Sequence, residues 1–257
     1  QTGAEIPYNG SPTGYTAAPG EAITYVDAHD NEILYDALAF KLPQSTSALD
    51  RARMQTLSLA TVVLGQGVGF VTAGSERLRS KSLDRNSFNS GDWFNEIQWD
   101  CAAGNGFGRG LPPAADNGDK WVYARPLLAD PALVPGCDAI DLASARYREL
   151  LAIKRSSPLF SLGTAEAVQK HLSFPLSGPS ETPGVVTMLL AGPDPRWKSV
   201  TVVFNATPAA ATQTVPSLRG ATVAVHPEQR ASSSASFASG SGTFSVPARS
   251  VAVFVQS

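Results

Sequence analysis

Tyr25-Val26-Asp27-Ala28-His29-Asp30-Asn31-Glu32 begins as strand-compatible chain and ends in four adjacent polar side chains. A strand whose polar end faces solvent is a usual seat for chemistry, because a rigid element fixes side chains that a free loop lets wander. Working outward, Ala22–Ala28 reads as the strand. Ile33-Leu34 and Ala37-Leu38 form a short helical pattern stopped by Pro43. Asp50 then opens a stronger helix in which Met54, Leu57, Ala60 and Leu64 recur at three- and four-residue spacing. Gly65-Gln66-Gly67 ends it, and Val68–Thr72 is an apolar run suited to a strand buried on both faces. Strand, helix, strand in this order predicts the β/α crossover of a parallel sheet or barrel. Ala73-Gly74-Ser75-Glu76 ends the second strand in polar residues, as His29-Asp30 ends the first. Both polar ends fall at the carboxyl ends of their strands, where α/β folds place active sites.

The flanks differ in texture. Gln1–Gly20 is rich in Gly, Pro, Ser and Thr and reads as a loop. Arg77–Gly136 is irregular and too long for a mere connection. Its aromatics, Phe88, Trp93, Phe94, Trp99, Phe107, Trp121 and Tyr123, predict that it is ordered by packing. From Asp138, taken as N-cap, a helix places Ile140, Ala143, Tyr147, Leu150 and Leu151 on one face, with Pro158 just beyond its end. After Leu162 short runs alternate with turn residues, and Val185–Leu190, Ser199–Phe204, Ala221–Val225, Thr243–Val246 and Ser250–Val255 are the strand candidates of a small antiparallel sandwich. Ser232–Ser241 reads as a hairpin loop between strands. The expected domains are 1–160 and 161–257.

A net charge of −2 over 257 residues gives no nucleic-acid footprint and no basic membrane-binding surface. No apolar run approaches the ~20 residues that span a bilayer. The chain opens on Gln1 without a charged and then apolar leader, which reads as a processed start or a cut from something longer. Cys101 and Cys137 are the two cysteines, and free thiols and a single disulfide both fit them. His29 as a metal ligand finds no second ligand at metal-site spacing, since His171 and His226 lie in the strand-rich half. Calcium stays open at the oxygen-rich Asp116-Asn117-Gly118-Asp119 stretch, which the sequence does not establish as a site.

His29-Asp30 by itself fits two descriptions, a strand-end pair satisfied by nearby backbone, or a clamp in which the carboxylate accepts two sugar hydroxyls while the imidazole donates to another. The next block separates them. Gly74-Ser75-Glu76-Arg77-Leu78-Arg79-Ser80-Lys81-Ser82-Leu83-Asp84-Arg85-Asn86-Ser87-Phe88-Asn89-Ser90-Gly91-Asp92-Trp93-Phe94-Asn95 follows the strand-end motif after one helix. With that order the sequence closely resembles the pullulanases and limit dextrinases, debranching enzymes of glycoside hydrolase family 13 in the α-amylase superfamily. The resemblance runs on through Arg109–Asn117, Leu128–Pro131, Lys154–Phe160, Val202–Pro208 and Val246–Arg249.

The resemblance implies a fold, the last β/α units of a (β/α)₈ TIM barrel followed by a C-terminal antiparallel β-sandwich. It implies hydrolysis of α-1,6-glucosidic bonds in pullulan, limit dextrin, branched starch or glycogen with retention. Asp30 matches the third catalytic carboxylate, a transition-state stabiliser, and His29 the residue that hydrogen-bonds the sugar beside the scissile bond. Asn31, Arg85, Asn86, Phe88 and Asp92 match positions lining neighbouring glucose subsites. Ile33 stands where the family often has Thr, and Phe88 where it often has Tyr, which removes a hydroxyl from each place. The family's nucleophile lies in a Phe-Arg-x-Asp setting, which occurs nowhere in this chain. A retaining glycosidase needs two carboxyl groups about 5–5.5 Å apart, so the expectation is a piece that is inactive without an upstream barrel segment as its partner. Family members are secreted, cell-surface or plastid proteins, and the location of this one stays open.

The rival of another class is a non-catalytic α-glucan-binding module. Such modules stack sugars on exposed aromatic platforms. Past Tyr147 there is no tyrosine, and Trp197 is the only tryptophan there.

Overall fold

The computed structural model describes residues 3–14, 16–28 and 30–257. The chain starts with a minimal hairpin, β1 (Pro7–Tyr8) against β2 (Ser11–Pro12). Strand β3 (Ile23–Thr24), helices α1 (Leu34–Lys41) and α2 (Ala48–Val63) and strand β4 (Val68–Gly69) follow. β3 and β4 pair in parallel, so the β/α crossover read from the sequence is present. Both strands are shorter than predicted. Val68 N–H donates to Ala22 O and Phe70 N–H to Thr24 O, each at 2.8 Å, and past Thr24 the backbone turns to side-chain partners instead of a ladder. The run expected to be buried on both faces is exposed, with Val68 and Phe70 open to solvent. Gly67 is required at the crossing, because a Cβ there would lie 2.7 Å from Ala22 O.

α2 is capped by Ser47, whose Oγ accepts from Asp50 N at 3.2 Å, so the helix starts two residues before the predicted Asp50. Arg51, fully buried at its base, donates to the carbonyls of Thr46, Leu38 and Pro43 and so fastens the α1–α2 turn.

The region after β4 is built from short turns, α3 (Asp92–Asn95), α4 (Ala114–Asn117) and α5 (Trp121–Leu128). It is packed, but not by the aromatics that predicted packing. Phe107 alone of the seven is buried; Phe88, Trp93, Trp99 and Tyr123 are exposed. The region's core is instead Leu78, Leu83, Phe107, Ala124, Leu127 and Leu133, set against Tyr35, Ala39 and Ala52 of α1 and α2 and Ile140 of the long helix α6 (Cys137–Ser156). α6 begins one residue before Asp138, with Gly136 as its N-cap and Asp138 in the first turn, where an acidic side chain favours the helix dipole. Cys101 and Cys137 form a disulfide that fastens this region to the start of α6.

Helix α7 (Ala165–His171), missed in the sequence, leads into β5 (Leu172–Ser173). β6 (Val185–Ala191), β7 (Ser199–Asn205), β8 (Ala211–Thr214), β9 (Val223–Val225), β10 (Ser236–Ala238), β11 (Thr243–Val246) and β12 (Ser250–Gln256) complete the chain. They form an antiparallel sheet ordered β5-β6-β7-β12-β9 and a second ordered β10-β11-β8. The Ser232–Ser241 stretch read as a loop contains β10, paired with β11 from Ser236↔Ser245 to Ala238↔Thr243. Small residues hid that strand. β8 was missed for the same reason.

The larger sheet is covered on both faces, which explains the near-continuous apolar reading of β7 and β12. Val200, Val202, Val251, Val253 and Val255 meet Leu57, Ala60 and Leu64 of the α2 end and Leu150 and Ile153 of α6. The alternate residues Val203, Ala252 and Phe254 meet Phe244 and Val246 of the smaller sheet.

Candidate functional site

Two buried carboxylates hold the ends of the segment that carries Asp30 and Asn31. Asp27 accepts from Leu34 N at 3.1 Å and from Ser75 Oγ, and its carbonyl accepts from Thr72 Oγ1 at 3.2 Å. Asp36 accepts from Ser80 Oγ at 2.5 Å, Lys81 N at 2.8 Å and Leu83 N at 3.1 Å. Both carboxylates therefore grip the 72–83 segment, one before and one after the exposed pair Asp30-Asn31. Asn31 takes a left-handed backbone, φ 62°, a conformation that Asn tolerates better than most residues. His29 lies outside the described residues.

The 80–83 turn is itself fixed from behind. Ser80 N donates to Asn105 O at 2.8 Å, and Gly106 follows at φ +94°, where a Cβ would stand 2.4 Å from Ser80 O. Burial pushes the Asp36 carboxyl up to about 7, against the three hydrogen bonds that favour its charge; the nearby Glu32 adds to the rise. Lys81 is buried, donates to Ser87 Oγ at 2.7 Å, and is held below the usual ammonium range by burial and by Arg79.

Arg85, Asn86, Phe88 and Asp92 sit on the next stretch. Asp84, fully buried, accepts from Asn86 N and from Asn117 Nδ2, each at 3.0 Å, and Asn117 Oδ1 accepts from Arg85 N at 3.0 Å. Arg85 approaches Asp119 at 3.8 Å, and the neighbouring Lys120 pairs with Glu32. One turn, Gly118–Lys120, thus supports both the Asp30-Asn31-Glu32 segment and the Arg85 loop. Asn117 is spent on this scaffold and on Pro113 O. Among the described residues no three His, Cys, Asp or Glu side chains gather as metal ligands.

Farther out, Ser87 and Asn95 exchange hydrogen bonds that close the loop holding Phe88, which is 84 % exposed. Asp92 is exposed at the start of α3. Trp93, 60 % exposed, donates through Nε1 to Arg109 O at 2.8 Å, and the Arg109 guanidinium lies 5.3 Å from its ring centre while pairing with Glu96 at 2.6 Å. This surface offers carboxylate, amide and guanidinium groups beside rigid aromatic faces, a combination suited to hydroxyl-rich rings. Trp197 is different in kind, half-buried and edge-on to His226. His226 is itself buried, within 2.9 Å of Ser156 Oγ, and pushed down to about 4 by burial and by Arg196 and Arg230.

Residues 102–257 match the family described as alpha-1,6-glucosidases, pullulanase-type, C-terminal. The chain belongs to this pullulanase-type family. It is 38 % identical over 265 residues to Pullulanase 1, chloroplastic, of Arabidopsis thaliana, which covers 97 % of this chain and 27 % of that protein. It is equally 38 % identical to the pullulanase of Klebsiella pneumoniae, over 98 % of this chain and 24 % of that protein. The chain spans about a quarter of the length of these curated relatives. Its fold superposes on the crystal structure of a maltotriose complex of PulA from Klebsiella pneumoniae with a TM-score of 0.91, at 35 % identity, covering 99 % of this chain and 28 % of that one. A pullulanase from Bacillus acidopullulyticus superposes at 0.64 with 25 % identity.

For a pullulanase-type chain the sequence points to Asp30, Asn31, Arg85, Asn86, Phe88 and Asp92 and passes over most of their supports. Asp27, Asp36, Ser80 and Lys120 carry no role in the sequence reading, and Asn117 appears there only in an oxygen-rich stretch considered for calcium. The available signal was a charged residue inside an apolar helix, Asp36 between Tyr35 and Ala37, where an unpaired carboxylate is costly.

Proposed function

We propose that this chain forms the C-terminal part of a debranching enzyme that hydrolyses α-1,6-glucosidic bonds in pullulan, limit dextrin, branched starch or glycogen with retention. In this reading residues 1–160 are the last β/α units of a (β/α)₈ barrel with a long active-site loop, and 161–257 are a C-terminal β-sandwich. Asp30 is the transition-state stabiliser. His29 binds the same sugar, and Asn31, Arg85, Asn86, Phe88 and Asp92 line the neighbouring subsites.

The observation that carries the proposal is the double clamp of Asp27 and Asp36, which presents Asp30 and Asn31 on a fixed segment at the carboxyl end of β3 and binds that segment to the end of β4. Preorganisation of this kind lets a carboxylate stabilise charge developing on a sugar ring without reorganising during the reaction. Asp30 would grip ring hydroxyls of the distorted sugar more strongly in the oxocarbenium-like state than in the bound substrate. The nucleophile and the acid/base are assigned to barrel strands upstream of these residues. The exposed Ile23 and Val68 of the two-stranded parallel pair, with Tyr25 and Phe70 just beyond its ends, support that assignment, because they leave apolar surface for further strands to cover.

Two measurements on pullulan test the reading. In an enzyme that joins this chain to its upstream barrel, Asp30→Asn lowers kcat by about 10²–10³-fold without a matching loss of melting temperature. The 257 residues alone release no reducing sugar. Release by the purified monomer would overturn the claim that nucleophile and acid lie elsewhere.

A further inference from the structure

A cavity of about 200 Å³ lies between α2, α6 and the C-terminal sheets, and none of its lining residues belongs to the 27–36 or 74–95 segments. Arg53, Arg146 and Arg249 line it together with Ser232, Ser233 and Ser234, while Leu57, Leu142, Leu150 and Val251 supply apolar wall. The guanidiniums outnumber their carboxylates. Arg53 and Arg249 share Asp50, the former at 2.9 Å, and Arg146 takes Glu149 at 2.5 Å. Each arginine spends only Nη1 on these pairs; among the described residues, Nε and Nη2 of all three donate no hydrogen bond. Glu149 is further occupied by Ser232 Oγ at 3.1 Å. Three cations against two anions leave an excess positive charge at a cavity rim carrying unspent forked donors, the geometry that binds phosphate oxygens in pairs.

The volume is several times the ~30 Å³ share of one water, so a bare ion leaves most of it unfilled. Serine hydroxyls beside leucine side chains suit a ring with both hydroxyls and an apolar face. We propose that this cavity binds the phosphate monoester of a sugar, with the phosphate between Arg53, Arg146 and Arg249 and the ring toward Ser232–Ser234. The site is separate from the glucan subsites and stands whether or not Asp30 acts as argued above. An occupant would touch α2, α6 and the strand β12 at once, and so would stabilise their packing.

The test is calorimetric titration of the enzyme chain carrying all 257 residues with glucose 6-phosphate, inorganic phosphate and glucose in separate runs. Glucose 6-phosphate is expected to bind and to raise the melting temperature, phosphate to bind more weakly, and glucose not to bind. Arg53→Gln and Arg146→Gln should each weaken glucose 6-phosphate at least tenfold. Arg53 is half exposed, so its replacement leaves folding intact. Equal affinity for glucose, equal affinity for inorganic phosphate, unchanged affinity in both variants, or no binding of either anion at millimolar concentration would each overturn the assignment.

Discussion

Asp36 is the residue on which the site's frame turns. Its folded-state carboxyl sits near 7, well above the ordinary aspartate value of about 3.9, because burial outweighs its three donors. A raised value means that the folded protein holds a proton the unfolded chain has lost between about pH 4 and 7. The associated stability is fully present below pH 4 and gone above pH 7. Asp36→Asn keeps an acceptor for Lys81 N and Leu83 N and turns an amide donor toward Ser80 Oγ, with no charge to bury. The variant should therefore gain on the wild type as pH rises from 4 to 7, by the order of 1–4 kcal/mol in denaturant unfolding. A constant difference across that range would mean that Asp36 is not the titrating group. His226 acts in the opposite sense. Its value, lowered to about 4, costs stability as pH falls through the same window, so the wild-type profile alone is flatter than either group's. The difference between variant and wild type isolates Asp36. The sequence offers only the placement of Asp36 inside an apolar helical pattern; its burial depends on a turn more than forty residues away.

At the scale of elements, legibility followed side-chain size. Apolar, β-branched strands such as β6, β7 and β12 declared themselves, while β8 and β10, written in Ala, Thr and Ser, did not. The β/α crossover was legible as a sequence of types, yet β3 and β4 are two residues each, because a ladder extends only where a partner strand continues. In the 77–136 region Phe107 alone of the aromatics enters the core, which is otherwise aliphatic, while Phe88, Trp93, Trp99 and Tyr123 are displayed on the surface. The two cysteines left their pairing open, and proximity in the fold decides it. The Cys101–Cys137 bond closes 36 residues of chain between the outer loop and the first turn of α6. Loop-closure entropy assigns such a bond about 3–4 kcal/mol. A Cys101→Ser, Cys137→Ser double variant should thus show an unfolding free energy lowered by an amount of that order, and dithiothreitol should shift the midpoint of the wild type but not of the variant. Equal midpoints for wild type with and without reductant would remove the bond from the account of stability.

Across the whole molecule, residues on either side of position 160 share a single core. Leu57, Ala60 and Leu64 from the α2 end, Leu150 and Ile153 from α6, and Leu159 and Phe160 from the turn that follows meet Met188, Leu190, Val200, Val202 and Val253 of the larger sheet. The two proposed parts are thus joined by an apolar interface with the burial of a domain interior, which couples their unfolding. Phe160 is fully buried in it, and Phe160→Ala removes a ring that the surrounding helices and strands cannot collapse to replace. The expected cost is about 3–5 kcal/mol. Because the cavity opens between the parts, both should weaken together. Amide exchange of β7 and β12 on the sheet side, and of α2 and α6 on the helical side, should then shift by the same amount in the variant. A shift confined to one side would show that the halves fold as separate units and that the interface is only a contact. A common shift would mean that the sheets hold α2, and through α2 the turn to β4, in the register on which the Asp27 clamp depends.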